Sequence, residues 1–157
     1  MNPAAEIEIA APLEAIWQVM LDTDSYGEWN SFVSRADLAK PEVGQPIVLH
    51  AVWADGSTSR SNEQISALEH PHQDADGSTT AVMSYVYRGL PSKLGLVRST
   101  RHQRLTQRAG ETTTTYSTVL HLSGPMAKFA GPGRIADGLR RHAESLKQRA
   151  ETKGASA

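Results

Sequence analysis

The sequence predicts an α+β domain in which helices cover one face of an antiparallel sheet. Three observations carry that expectation. The chain opens with a short alternating strand that runs into an amphipathic helix, residues 45 to 122 form a succession of β-patterned segments punctuated by turn residues, and the end of the chain follows one long helical stripe. Strands in a run with helices at either end make a two-layer architecture rather than an alternating α/β one. A length of 157 residues suits a single domain, expected over residues 1–153, and is enough to bury a core without staples. At 39% hydrophobic and 21% charged residues, the mixture is that of a globular chain and not a disordered one.

Each element has a local reason. Glu6-Ile7-Glu8-Ile9-Ala10 alternates polar and apolar, the period of a half-buried strand. Pro12 follows, a residue well placed in the first turn of a helix. Leu13, Ile16, Trp17, Met20 and Leu21 then recur at the spacing of one buried helical stripe. Asp22 to Ser25 breaks that helix, and Tyr26 to Asn30 adds one further turn before the chain extends again. Gln45 to Trp53 alternates, Asp55-Gly56 signals a hairpin, and Arg60 to Leu68 is a polar strand. Glu69 to Gly77 reads as a loop containing Pro71. Thr79 to Tyr87 is strand, Gly89-Leu90-Pro91 a turn, Val97 to Gln107 strand, Gly110 a turn, and Thr112 to Leu122 a strand rich in β-branched residues. Gly124-Pro125 stops it. Gly131-Pro132-Gly133 breaks the chain before a closing helix from Ile135 to about Thr152, whose stripe is Ile135, Leu139, His142, Leu146 and Ala150. Asp137 with Arg141 and Lys147 with Glu151 fall at i, i+4 on it. The tail from Gly154 to Ala157 is expected to fray. The stripe holds few large apolar residues, so the interior between helix and sheet is expected to be hollow.

Charge and motif content narrow the function classes. The net charge is −1, with three basic and ten acidic residues in 1–63 against 13 basic and seven acidic in 64–157. Arg98, Arg101, Arg104 and Arg108 crowd one strand, but no aromatic residues interleave with them, so a solvated strand face is expected rather than a nucleic-acid groove. The absence of cysteine excludes disulfides, thiolate metal sites and a cysteine nucleophile. No apolar run reaches the length of a membrane span, and no signal-peptide pattern opens the chain, so a cytoplasmic protein with neither membrane nor nucleic-acid partner is expected. There is no G-x-S-x-G elbow, P-loop or dinucleotide fingerprint. Glu69 to Asp76 gathers metal-ligating residue types, but its place in an expected hairpin loop reads as a solvated turn, and no metal or other cofactor is expected.

The opening segment Glu6–Asn30 resembles that of the START-like, polyketide cyclase/dehydrase (SRPBCC, Bet v 1-like) superfamily. The resemblance lies in the Ile7/Ile9 strand, Ala11-Pro12, Ile16-Trp17 and Tyr26-Gly27-Glu28-Trp29-Asn30. Gly44, the Glu69-His70-Pro71 turn and the Leu146–Glu151 ending extend it over nearly the whole chain. Two positions depart from the pattern: Ser31 stands where members often have proline, and His142 where they often have an apolar residue. The resemblance implies a helix-grip fold, in which about seven antiparallel strands curve around a long C-terminal helix, with two short helices after the first strand. It also implies a deep cavity for an apolar small molecule.

Strand alternation sorts the faces. The expected inward sets are Ile47, Leu49, Ala51 and Trp53; Ser61, Glu63 and Ile65; Ala81, Met83, Tyr85 and Tyr87; Arg101, Gln103 and Leu105; and Tyr116, Thr118, Leu120 and Leu122. The closing helix adds Ile135, Leu139, His142 and Leu146, and Trp29 is expected to close or floor the pocket with Trp53; the expected ligand contacts are Trp29, Trp53, Met83, Tyr87, Gln103, Tyr116, Leu120, Ile135 and Leu139. Two functions stay open. One is binding of a polyketide- or lipid-like molecule, with Arg101, Gln103 and the tyrosines fixing a polar end. The other is cyclase, aromatase or dehydratase chemistry, with Glu63 or His142 as the base and Arg101 and Tyr85 as donors to a developing oxyanion. A protein-interaction module of the chaperone-activator type shares the fold.

Overall fold

The computed structural model describes residues 2–155. Seven antiparallel strands form one sheet in the order β1-β7-β6-β5-β4-β3-β2. They are β1 (Ala4–Ile9), β2 (Val33–Leu38), β3 (Pro46–Val52), β4 (Thr58–Gln73), β5 (Thr79–Tyr87), β6 (Arg98–Gln107) and β7 (Thr114–Ser123). Helix α1 (Leu13–Leu21) and the single turn α2 (Tyr26–Trp29) follow β1, α3 (Leu90–Lys93) joins β5 to β6, and α4 (Pro132–Ala155) closes the chain. This is the α+β layering that the residue pattern predicts and the helix-grip arrangement that the resemblance implies.

The stripe of α1 is buried through Leu13, Ile16, Trp17 and Met20, and that of α4 through Leu139, His142, Leu146 and Ala150. Both ion pairs anticipated on α4 form, Arg141–Asp137 at 3.0 Å and Lys147–Glu151 at 2.6 Å. Two departures have physical reasons. The segment Glu69 to Gln73, expected as loop, continues β4. Its Pro71 lies inside a register shift between Glu69 and His72, where a residue without an N–H breaks no ladder bond. His70 of that segment accepts a hydrogen bond from Trp17 Nε1 at 3.2 Å and so packs against α1. Helix α4 starts at Pro132, three residues early, because Gly131 takes the left-handed conformation (φ 71°) and Pro132 is preset for a first turn. At its other end α4 continues through Gly154 and Ala155, which the sequence assigns to the tail; Ser156 and Ala157 lie outside the described residues.

The departures from the superfamily pattern, Ser31 and His142, are both used at the seam between α2 and α4. Asn30 accepts hydrogen bonds from the backbone N–H groups of Phe32 (3.0 Å) and Val33 (2.9 Å) on its Oδ1. Its Nδ2 lies 3.0 Å from His142 Nδ1, which accepts from it. Ser31 donates its N–H, which a proline would lack, to Ser145 Oγ at 3.2 Å, and its carbonyl accepts from Arg141 Nη1 at 2.6 Å.

Candidate functional site

The strand register divides the concave face into rows. Ala81, Leu105 and Tyr116 lie side by side on β5, β6 and β7; next come Met83, Gln103 and Thr118, then Tyr85, Arg101 and Leu120. A fourth row holds Ser99 beside Leu122 on β6 and β7, with Tyr87 opposite Glu63 on the β5–β4 side. The first two rows are packed solid, because α1 seals that end. Leu13 anchors it by donating its N–H to Gln107 Oε1 at 3.0 Å, and Trp17 fills the interior. From the third row outward the interior is empty. A cavity of about 550 Å³ opens there, walled by the sheet, by Ile135 and Leu139 of α4, and by Phe32, Leu49, Trp53, Leu96, Met126 and Phe129. A volume of that size suits a multi-ring organic molecule.

Three ionisable side chains expected at the site line this cavity. Arg101 is 6% exposed. Its Nε donates to Thr118 Oγ1 at 3.0 Å and its Nη2 to the Tyr116 hydroxyl at 3.3 Å. Among the described residues no carboxylate lies at ion-pair distance from it. A buried cation that is hydrogen-bonded but not charge-paired is costly to hold, and Arg101 stands in the cavity wall. Of the three arginines on β6, Arg98 and Arg104 are exposed, as is Arg108 just beyond the strand; Arg101 has the opposite parity and points inward. Glu63 is half-buried in the same wall and accepts from Ser61 Oγ. Burial pushes its carboxyl up to about 7, against the opposing pull of the Ser61 hydrogen bond and the Arg101 charge. Tyr85 receives a hydrogen bond from Gln103 Nε2 at 3.1 Å and donates to Met83 Sδ at 2.9 Å. Burial raises its hydroxyl to about 12, so it stays protonated at neutral pH.

The other expected residues divide by depth. Trp53, Tyr87, Leu120, Ile135 and Leu139 line the cavity. Met83, Gln103, Tyr116 and His142 face inward but belong to the packed end, one layer behind the wall. Tyr116 donates to Gln103 Oε1 at 2.7 Å, and His142 stacks on its ring at 6.0 Å. Burial, and then the charge of Arg101, hold the His142 imidazole well below its usual value, so it is neutral. Trp29 packs on His142 and Tyr26 instead of the cavity. Leu96, Met126 and Phe129 are walls that the strand pattern misses, because they sit in the turn segments around α3 and before α4. The available signal was several large apolar side chains in stretches otherwise marked by Gly and Pro.

At the mouth, Arg134 lies over the Trp53 ring at 4.3 Å, donates to Ser57 Oγ and approaches Asp55 to 3.6 Å. These contacts fasten the start of α4 to the tip of the β3–β4 hairpin. On the next turns of α4, a Cβ added to Gly138 would stand 2.5 Å from Phe32 Cε2. Phe32 can yield only by swinging its ring, whose neighbouring free space is the cavity. Gly138→Ala should therefore keep the fold, with helix propensity offsetting part of the strain, by about 1 kcal/mol. It should also lower the affinity for an aromatic probe by roughly tenfold in a fluorescence titration.

The sequence profile of a family described as polyketide cyclase/dehydrase and lipid transport matches residues 4–151. The chain belongs to this family. Among curated proteins no significant match was found. Solved structures share the family's fold at low sequence identity. An aromatase/cyclase, Zhui, from Streptomyces sp. R1128 is 14% identical, superposes with a TM-score of 0.72, and is matched over 98% of this chain and 95% of its own. A START superfamily protein from Mycobacterium smegmatis is 13% identical with a TM-score of 0.66, over 97% and 98% of the two chains. The di-domain ARO/CYC protein BexL of the BE-7585A biosynthetic pathway is 18% identical with a TM-score of 0.67. That match covers 96% of this chain, which spans about half, 50%, of the di-domain protein.

Proposed function

We propose that the protein binds an apolar or aromatic small molecule, polyketide- or lipid-like, whose one polar oxygen is held by Arg101. The observation that carries this reading is a buried guanidinium, unpaired by any carboxylate at ion-pair distance among the described residues, in the wall of a largely apolar cavity. Burial of rings or alkyl chain against Leu49, Leu120, Ile135 and Leu139 supplies most of the affinity. The guanidinium supplies orientation, and a carboxylate or enolate gives it the counter-charge that the protein withholds. A fluorescence titration with 8-anilinonaphthalene-1-sulfonate tests the cavity, and competition between 1-naphthoate and 1-methylnaphthalene tests Arg101. Saturable binding of one probe per chain, with naphthoate the better competitor by about tenfold or more, is expected. Absence of saturable binding, or equal competition by the two naphthalenes, overturns the reading.

A cyclase reading rests on a second observation, the Glu63 carboxyl raised to about 7 in the same wall as Arg101. Near neutral pH such a group exists in both forms, as general acid–base work requires. Glu63 as carboxylate would take a proton from a carbon between two carbonyls. The electron pair moves onto the carbonyl oxygen, where Arg101 stabilises the enolate. The carbon then bonds to a second carbonyl of the folded chain, and the resulting alkoxide takes the proton back from Glu63. Loss of water from that aldol leaves the ring unsaturated. Turnover of a poly-β-ketone mimic by wild type but not by Glu63→Gln supports this chemistry, and equal turnover by both excludes it.

A further inference from the structure

Among the described residues, the large exposed apolar side chains other than Val43 gather around the cavity opening, on two segments that hydrogen-bond to each other. Leu90 (67% exposed) and Leu94 (64%) project from α3, and Phe129 (69%) and Met126 (42%) from the turn before α4. Met126 donates its N–H to the carbonyl of Leu96 at 3.0 Å, which holds the two segments together. The close fit requires Gly124, at φ 109°, since a Cβ there would come within 2.6 Å of the same carbonyl oxygen. The segments that carry these tips are basic. Lys93 on α3 and Lys128 beside Phe129 are exposed, as are Arg88 and Arg98 on either side of α3 in the sequence, with Arg88 bonded to Gln64 and Arg134 turned toward Asp55. Lys128 Nζ lies 5.1 Å from the centre of the Phe129 ring. In the sequence, Glu111 is the one acidic residue between Asp76 and Asp137, so the stretch that carries the tips is strongly basic, and Asp55 at the mouth is already paired with Arg134.

We propose that this rim is a docking surface for an anionic lipid bilayer, on which the cavity mouth sits facing the membrane. Apolar tips within a ring of lysine and arginine are the pattern of interfacial attachment. The tips enter the headgroup–acyl boundary while the cations meet lipid phosphates. A protein partner fits the pattern less well, because lysine is depleted from protein–protein contact surfaces. Attachment is peripheral: no described helix is long and apolar enough to cross a membrane. The near-zero net charge conceals the feature, because acidic residues concentrated in the first 63 positions cancel the cations in the total. The inference stands on the rim alone and does not depend on the identity of the cavity's guest.

Co-sedimentation of the full chain with vesicles tests it. Wild type should associate with mixed phosphatidylcholine/phosphatidylglycerol vesicles, much less with pure phosphatidylcholine, and more weakly as salt is raised. Leu90→Asp/Leu94→Asp changes two exposed residues outside the cavity wall and should reduce the partition coefficient at least about tenfold with unchanged thermal stability. Lys93→Glu/Lys128→Glu should do the same and should abolish the preference for phosphatidylglycerol. Should the aspartate pair perturb folding, Leu90→Ser/Leu94→Ser gives the same comparison. Failure of wild type to associate with anionic vesicles, or undiminished association of the folded leucine variants, overturns the proposal and leaves an acidic protein as the occupant of the rim.

Discussion

Arg101→Met should lower the affinity for an aromatic carboxylate on the order of a hundredfold while leaving the protein as stable as wild type, or more stable. A charge-assisted contact in a water-poor wall is worth roughly 2–3 kcal/mol, hence the loss of affinity. The stability expectation runs the other way because the guanidinium has only neutral partners, Thr118 and Tyr116. Tyr116 keeps its bond to Gln103 when the arginine goes, and methionine fills comparable volume without a desolvation penalty, so a gain of up to about 2 kcal/mol is expected. Naphthoate titration and thermal denaturation of the same variant provide the measurement, with 1-methylnaphthalene as the control whose binding should not change. A residue whose removal stabilises the fold and destroys recognition is retained for what it binds. A destabilised variant with unchanged naphthoate affinity would assign Arg101 to the architecture instead.

Glu63→Gln should remove a pH dependence from both stability and ligand binding. The folded protein holds the Glu63 proton to about 7 against 4.5 for a solvent-exposed glutamate, so across that interval the native state binds protons that the unfolded chain has released. Stability from this group is fully present below the lower value and is lost as pH rises through the upper one. The loss amounts to ~2 kcal/mol for a side chain with partial solvent access. His142 acts in the opposite sense: its folded value lies well below 6.5, so its contribution is present above that value and lost on acidification. Comparing Glu63→Gln with wild type cancels the histidine. The variant should gain in relative stability from pH 4.5 to about pH 7 and level off above it, measured by urea denaturation at each pH. Ionised Glu63 also competes for the field of Arg101, so naphthoate affinity should fall with rising pH in wild type and stay level in the variant. A pH-independent difference between the two proteins would contradict the burial assigned to Glu63.

The fold and the faces were legible in the sequence because they follow from periods. Alternation placed Glu63, Tyr85, Arg101 and Leu120 on the concave side, and the helical stripe placed Leu139 and His142 beneath it. Depth along the strand has no such period. Met83, Gln103 and Tyr116 have the parity of Tyr85 and Arg101, yet lie in rows that Trp17 and its neighbours on α1 have filled. Which rows stay open depends on where α1 crosses the sheet, a long-range fact that no local pattern encodes. The mouth was obscured for a different reason. Gly89, Pro91, Gly124 and Pro125 correctly mark turns, but turns are read as solvent-facing, and here they carry the apolar side chains that complete the wall. Pro71 misled in the same way, since a register shift lets it remain within a strand.

The amide of Asn30 has a consequence beyond its own bonds. One planar group sets where β2 begins, through Phe32 and Val33, and fixes the angular setting of α4 about its axis, through His142. Strand and helix therefore meet at this amide, beside the bonds of Ser31 to Ser145 and Arg141. Any change that tilts this amide is geared to Leu139 and Ile135 one and two turns away, so the contour met by a guest is adjustable from a position the guest never touches.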